Sequence, residues 1–138
     1  MFPGRFLRKI FRSIGLLVLT LLLLTTAAFA TSSLSAHCIL PPIEGTATSE
    51  DSGIKEVDGS NAYLYDVTVG GGYEVDCRQY CTSNNVTGPW TKGISSVKDA
   101  AHLGGATRIF AGNEVRLQFS THFLTPVRVE VNGTWDSN

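Results

Sequence analysis

The chain lacks the short motifs by which many small enzymes are recognised. Neither Gly-x-Ser-x-Gly nor His-Glu-x-x-His occurs in its 138 residues, so the sequence predicts neither a nucleophile elbow nor a zinc-protease helix. The side chains most suited to act as a general base are the three histidines, His37, His102 and His122. Because no motif surrounds them, we predict a non-enzymatic protein, with a small hydrolase as an alternative.

A surplus of basic residues is also missing from most of the chain. All twelve acidic residues and seven of the eleven basic residues follow Ala30, so this larger part carries a net charge of −5. Nucleic-acid binding proteins show the opposite, a clustered excess of lysine and arginine. A polybasic stripe of the kind that binds anionic lipid is absent as well. We therefore predict no nucleic-acid partner, and membrane contact only through residues 14–30.

One stretch of the chain has no charge at all. Ile14–Ala30 is seventeen residues long, follows four cationic residues, and ends in the small-x-small pattern Ala28-Phe29-Ala30. A basic leader, an apolar run and such a cleavage pattern predict that residues 1–30 are a secretory signal peptide. The remainder is then secreted or periplasmic. An uncleaved membrane anchor is the alternative, because about 17 apolar residues is the lower limit for a spanning helix.

Cysteine is scarce, and the three that occur are Cys38, Cys77 and Cys81. An oxidising compartment favours one disulfide and one remaining thiol. In an extended strand Cys77 and Cys81 lie too far apart to bridge, so we predict a bond from Cys38 to Cys77 or to Cys81. With His37 these cysteines also form a nominal zinc set, but ligands from adjacent residues are awkward to combine. We predict no metal and no cofactor.

The chain after the leader divides by composition into two parts. Residues 31–60 are rich in Ser, Thr, Gly and Pro and predict an irregular N-terminal arm, whereas residues 61–138 predict a single β-rich domain. Ala62–Val69 alternates with Tyr63, Tyr65, Val67 and Val69 on one face, which is typical of a half-buried strand. Gly70–Gly72 and the alternating Tyr73–Cys77 then predict a β-hairpin.

The second half of the domain adds one helix and more strands. We predict a short helix over Ser95–Leu103, capped by Ser96, and a second hairpin from Thr107–Ala111 and Glu114–Ser120. Val127–Val131 is a further strand. The fold class is therefore mainly β, as a small antiparallel barrel of the OB type or a sandwich with one short helix. The predicted core consists of Tyr63, Tyr65, Val67, Val75, Val97, Leu117, Phe119, Val129 and Val131.

Aromatic and polar residues gather in the first half of this domain. Exposed Tyr and Trp suit recognition of proteins or sugars because they combine rigid area with a polar tip. We predict a binding module for an extracellular protein or carbohydrate, and its candidate ligand-binding residues are Tyr65, Arg78, Tyr80 and Trp90. A secreted protease inhibitor is the other alternative, presenting Gly88–Gly93 or Thr121–Pro126 as its loop. If the source is eukaryotic, the sequons predict glycosylation at Asn85 and Asn132.

Two partial resemblances involve the region Thr107–Val131. Its Gly112-Asn113-Glu114-Val115-Arg116-Leu117 resembles the strand after the helix in OB-fold binding subunits of secreted bacterial toxins. The same region is similar to the hairpin of small periplasmic serine-protease inhibitors, although it has extra residues between Phe119 and Val129. The first resemblance implies an OB fold and the second an inhibitory loop. Neither assigns a functional residue to this chain.

Overall fold

A computed structural model describes residues 33–138. The predicted signal peptide, residues 1–30, lies outside this range. Across the described residues, no helix is both long enough and apolar enough to cross a membrane.

The described residues form two antiparallel sheets. Sheet A consists of β1 (Leu34–Ser35), β2 (Cys38–Leu40), β5 (Ala62–Val69), β9 (Ala101–Leu103) and β11 (Val129–Asp136). Sheet B consists of β3 (Thr46–Thr48), β4 (Gly53–Ile54), β6 (Val75–Cys81), β7 (Val86–Thr87), β8 (Thr91–Ile94) and β10 (Glu114–Thr121). Every pairing is antiparallel, so the prediction of a mainly β, antiparallel fold is confirmed. Residues 33–138 contain no closed barrel, and the prediction of an OB-type fold is not confirmed.

One hydrophobic core receives side chains from both sheets. Alternate residues of β10 are fully buried, as the period of two in a strand requires. The largest buried side chain is Trp135 of β11, whose indole nitrogen donates a hydrogen bond of 3.2 Å to the carbonyl oxygen of Ser35. The core prediction is confirmed for Val67, Val75, Leu117, Phe119, Val129 and Val131.

The core prediction is wrong for Tyr63 and Tyr65, which are only half-buried. The cause is a β-bulge in β5 at Asp66, where φ is 55° and the register against β11 shifts. A bulge inserts one extra residue and so moves the inward-facing set from one parity to the other. Ala62 and Leu64 therefore point inward before the bulge, and Val67 and Val69 after it.

The predicted helix over Ser95–Leu103 does not form, and Val97 is 95% exposed instead of in the core. Ser96 uses its hydroxyl to bond the backbone N–H and carbonyl of Val69 in β5, at 2.8 and 3.2 Å, instead of capping a helix. The end of the segment, Ala101–Leu103, pairs with β5 as strand β9. A helix of two turns has little intrinsic stability, so these contacts with the sheet prevail.

Neither predicted hairpin forms. Gly70–Gly72 makes a 3₁₀ turn that carries the chain from sheet A to sheet B, so β5 and β6 are not partners. Thr107–Ala111 contains no strand, and β10 pairs with β3, β4 and β6. The first predicted turn therefore joins strands of different sheets, and the second is not preceded by a strand at Thr107–Ala111.

The segment predicted as an irregular arm takes part in both sheets. Its strands β1 and β2 pair with β11 in sheet A, and β3 and β4 pair with β10 in sheet B. Ala36, Cys38 and Leu40 are buried in the shared core. These strands are only two or three residues long, which is why their alternation is too short to recognise in the sequence.

Candidate functional site

The outward side of sheet B carries a continuous set of polar side chains, here called the sheet B face. Strand β6 alternates between buried residues and half-buried polar ones, and β10 does the same beside it. Register places each outward residue of β6 opposite one of β10. The resulting pairs are Asp76 with Ser120, Arg78 with Gln118, and Tyr80 with Arg116.

Arg78 lies at the centre of the sheet B face, where two contacts fix its side chain. The guanidinium carbon of Arg78 lies 4.2 Å from the centroid of the Trp90 ring, in cation–π geometry. Its Nε donates a hydrogen bond of 2.8 Å to Oε1 of Gln118 on the neighbouring strand. Partial burial lowers the pKa of Arg78, because desolvation disfavours the charged form. The guanidinium plane is thus fixed from two sides.

Three of the four predicted ligand-binding residues lie in this region. Tyr80 is two residues after Arg78 on the same side of β6, and its hydroxyl donates to Oδ1 of Asn85 at 2.7 Å. Tyr65 is separate, because it belongs to β5 in sheet A. The sequence could suggest Arg78, Tyr80 and Trp90 by residue type, but the role of Gln118 depends on the register of two distant strands.

A pocket of about 320 Å³ lies at one end of the sheet B face. Inside it Nε2 of His122 is 3.1 Å from Oδ1 of Asp76, which also accepts from the backbone N–H of Gly93 at 3.2 Å. The Ser120 hydroxyl, a conceivable nucleophile, donates to the carbonyl oxygen of Thr121 at 3.2 Å. The pocket thus holds a histidine–carboxylate pair whose neighbouring serine is bonded to the backbone.

The rim of this pocket is the loop Thr121–Pro126, here called the rim loop. Thr121 and Thr125 at its base are 2% exposed, whereas Phe123 and Leu124 at its tip are 64% and 76% exposed. The Thr121 hydroxyl donates to the carbonyl oxygen of Pro41 at 3.0 Å. Large apolar side chains are therefore presented to solvent on a base that is held by hydrogen bonds.

The segment beside the rim loop is strained. Ile43 and Glu44 have φ values of 55° and 54°, a region that non-glycine residues, and β-branched ones above all, rarely adopt. The backbone N–H of Ile43 donates to the carbonyl oxygen of Thr125 at 2.9 Å, and the Ile43 side chain is 64% exposed. Such strain persists only where surrounding contacts hold it, and it is concentrated at binding sites. Ile43 is thus a further exposed apolar side chain, on a backbone that is bonded to the rim loop.

The three cysteines are not bonded to one another in the structure, so the predicted disulfide from Cys38 to Cys77 or Cys81 does not form. Cys38 lies in sheet A, while Cys77 and Cys81 lie on the inward side of β6, and all three are buried. Burial raises the pKa of the Cys38 thiol to about 12 and that of Cys77 well above its usual value. Both side chains therefore act as small apolar core residues.

Thiol titration tests this state of the cysteines. The denatured, unreduced protein is expected to react with three equivalents of a thiol reagent. The native protein should react far more slowly, because burial excludes the reagent and disfavours the thiolate. Ellman's assay with and without denaturant measures both numbers. A count of one thiol per denatured chain would contradict the structure and restore the disulfide.

The potential glycosylation and metal sites are placed as follows. Both sequon asparagines, Asn85 and Asn132, are exposed. His37 bonds to Glu50 at 2.8 Å and Glu130 at 3.4 Å, which raises its pKa above the usual value, the Glu50 hydrogen bond being the main cause. Among residues 33–138, no three His, Cys, Asp or Glu side chains cluster closely enough to hold a metal ion.

A buried lysine lies away from the sheet B face and was not found from the sequence. Lys55 is 1% exposed, and its ammonium group donates to the carbonyl oxygens of Ser137 and Asn61. Burial lowers the pKa of Lys55 to about 8, and the nearby Asp136 opposes this shift. The contacts tie the chain before β5 to the end of β11, which is a structural role.

Comparison with known protein families, with curated proteins and with solved structures finds no match to this chain.

Proposed function

We propose that the chain is an exported, non-enzymatic binding protein whose partner is an extracellular protein. The observation that carries this proposal is the rim loop, which exposes Phe123 and Leu124 on a base fixed by buried threonines. Exposed apolar groups of this size are costly in water, and a surface patch of them is typical of interaction sites. A fixed base also lowers the entropy that ordering the loop on binding would cost.

The surroundings of the rim loop favour a protein over a sugar. Tyr, Trp and Arg are the residue types most enriched in protein interfaces, and Tyr80, Trp90 and Arg78 lie on the adjoining sheet B face. A sugar ring stacks on an open aromatic face, and Arg78 occupies one of the two faces of Trp90. The apolar tip and the polar face together fit the core and rim of a protein interface.

Alanine at both tip residues should weaken partner binding. The double variant Phe123→Ala/Leu124→Ala is expected to lose at least about tenfold in affinity, since truncating anchor residues commonly costs more than 1 kcal/mol. The purified protein is used to capture its partner from the extracellular fluid of the source, and surface plasmon resonance then compares the variants. Stability should change little because both side chains are exposed.

The matched control is Val97→Ala, a truncation at an exposed apolar residue in the loop after β8. It should bind like the unmodified protein. Equal losses in the control and in the double variant would contradict the assignment of the rim loop. If the protein captures no other protein but binds specifically to a glycan array, the partner is a carbohydrate and the proposal of a protein partner is wrong.

A second candidate is a protease inhibitor, which is the case in which the partner is a protease. The braced rim loop favours it, because such inhibitors present a fixed, exposed loop to the enzyme. A panel of serine and cysteine proteases tests this, with inhibition expected at a one-to-one ratio and lost in Phe123→Ala/Leu124→Ala. The remaining rival is a hydrolase that uses the His122–Asp76 pair. Turnover of any ester or peptide that His122→Ala abolishes would establish that rival.

A further inference from the structure

We propose that the two Nη nitrogens of Arg78 form a binding site for a carboxylate, contributed by an aspartate or glutamate side chain of the partner. The proposal goes beyond the function proposed above, because it assigns a ligand group to the sheet B face and does not involve the rim loop. Its basis is an arginine that the fold holds in place, while its outer nitrogens have no hydrogen-bond partner among residues 33–138.

The contacts of Arg78 leave one edge of the guanidinium unoccupied. Within residues 33–138 its only side-chain hydrogen bond is from Nε to Gln118, and its plane lies against Trp90. Ion pairs in the same part of the chain involve only His37 and His122. The nearest acidic residue along β6, Asp76, is already bonded to His122 and to the Gly93 N–H.

Arg78 is half-buried, and no carboxylate within residues 33–138 forms an ion pair with it. Arg116, the next arginine on the same face, differs because its Nη1 donates to the carbonyl oxygens of Ser49 and Glu50 at 2.9 and 3.0 Å. Contacts to backbone carbonyls fix Arg116 as part of the fold. Among residues 33–138 no such acceptor faces the Nη groups of Arg78, so they remain available to a ligand.

The chemistry of guanidinium selects the ligand. Two N–H groups projecting from the Nη nitrogens match the two oxygens of a carboxylate, and the paired bonds are stronger than those to a neutral acceptor. The Trp90 ring and Gln118 hold the guanidinium plane before the ligand arrives, so little entropy is lost on binding. Partial burial of Arg78 reduces solvent screening and strengthens the interaction further.

An NMR titration of the purified protein with sodium acetate tests this site. The side-chain Nε–H of Arg78 and the indole N–H of Trp90 should shift in a saturable way, while sodium chloride at equal ionic strength should leave them unchanged. Arg78→Lys keeps the positive charge but loses the paired N–H groups of the guanidinium, so its affinity for acetate should fall at least tenfold. Gln118→Leu removes the positioning contact and should lower affinity severalfold while the Arg78 signal stays observable.

Arg108→Lys is the matched control, because Arg108 is exposed and lies outside the sheet B face, and it should bind acetate like the unmodified protein. Equal shifts with chloride, or undiminished binding in Arg78→Lys with a native spectrum, would overturn the proposal. Parallel titrations with N-acetylglutamate and glucuronate separate a peptide carboxylate from a sugar acid. Tighter binding of glucuronate would overturn the protein source. The Phe123→Ala/Leu124→Ala variant should bind acetate normally. The experiment therefore tests the carboxylate site separately from the proposed role of the rim loop in partner binding.

Discussion

Replacement of Trp135 by alanine is expected to lower the free energy of unfolding by about 3–5 kcal/mol. The indole is fully buried between the two sheets, and it donates to the carbonyl oxygen of Ser35. The substitution therefore removes apolar contacts, creates a cavity and leaves a carbonyl of β1 without its donor. Since small domains have a total stability of about 5–15 kcal/mol, the variant should be close to unfolded at 37 °C. Urea denaturation followed by circular dichroism measures the loss.

Trp90→Ala is the control, because it removes the same side chain from the half-buried outward side of sheet B. Its cost should be about 1 kcal/mol, mainly from the lost contact with Arg78. Similar losses for Trp90→Ala and Trp135→Ala would show that Trp135 is not in the core.

The stability of the protein is expected to rise from about pH 8 to about pH 9 and to fall above it. Lys55 drives the rise, because its pKa is lowered to about 8 in the folded protein from an ordinary value of 10.5. Between these two values the unfolded chain binds one proton that the folded chain has released, so the free energy of unfolding increases with pH. The slope for one such group is about 1.4 kcal/mol per pH unit.

The buried thiols produce the fall. Cys38 and Cys77 have raised pKa values in the folded protein, against an ordinary value of 9.0. Above that value the unfolded chain loses thiol protons that the folded chain retains, so unfolding becomes easier as pH rises. Two thiols contribute up to about 2.8 kcal/mol per pH unit and exceed the opposite contribution of one lysine. Tyr65, whose pKa is also raised, acts in the same direction.

Denaturation at half-unit steps from pH 7 to pH 10.5 measures this profile. In Lys55→Met the rise in stability between pH 8 and 9 should be absent. The difference in the free energy of unfolding between this variant and the unmodified protein should change by about 2–3 kcal/mol from pH 7 to pH 10.5. In Cys38→Ala/Cys77→Ala the fall should largely disappear. A profile of the unmodified protein that is flat between pH 8 and 9 and parallel to that of Lys55→Met would show that the lysine is solvated. An unmodified protein with no alkaline fall would indicate a disulfide.

Much of the strand content could be predicted from the sequence, because alternation depends only on neighbouring residues. Leu117 and Phe119 lie in a strand with no irregularity, and the predicted core positions there are confirmed. The bulge at Asp66 breaks the same rule in β5, and nothing in the local sequence distinguishes aspartate in a bulge from aspartate on an outward face. Prediction from period alone therefore fails at the first inserted residue.

The candidate site was predictable by residue type and not by arrangement. Arg78, Tyr80 and Trp90 could be selected because arginine and aromatic residues favour recognition, and all three lie together. The contact of Arg78 with Gln118 spans forty positions and arises only when β6 and β10 pair. The predicted helix over Ser95–Leu103 is absent for a similar reason, because the Ser96 hydroxyl bonds to Val69 of β5, which lies 27 residues earlier in the chain.

The pairing of β11 with three earlier strands has a consequence for the order of events during synthesis. Strands β1, β2 and β5 all pair with β11, and the bond from Trp135 to Ser35 joins residues 100 positions apart. Sheet A therefore remains incomplete on the ribosome until residues 129–136 have emerged. Chains dominated by such distant contacts fold in about milliseconds to seconds, not microseconds. During this delay the edges of β1, β2 and β5 that pair with β11 stay open to other contacts.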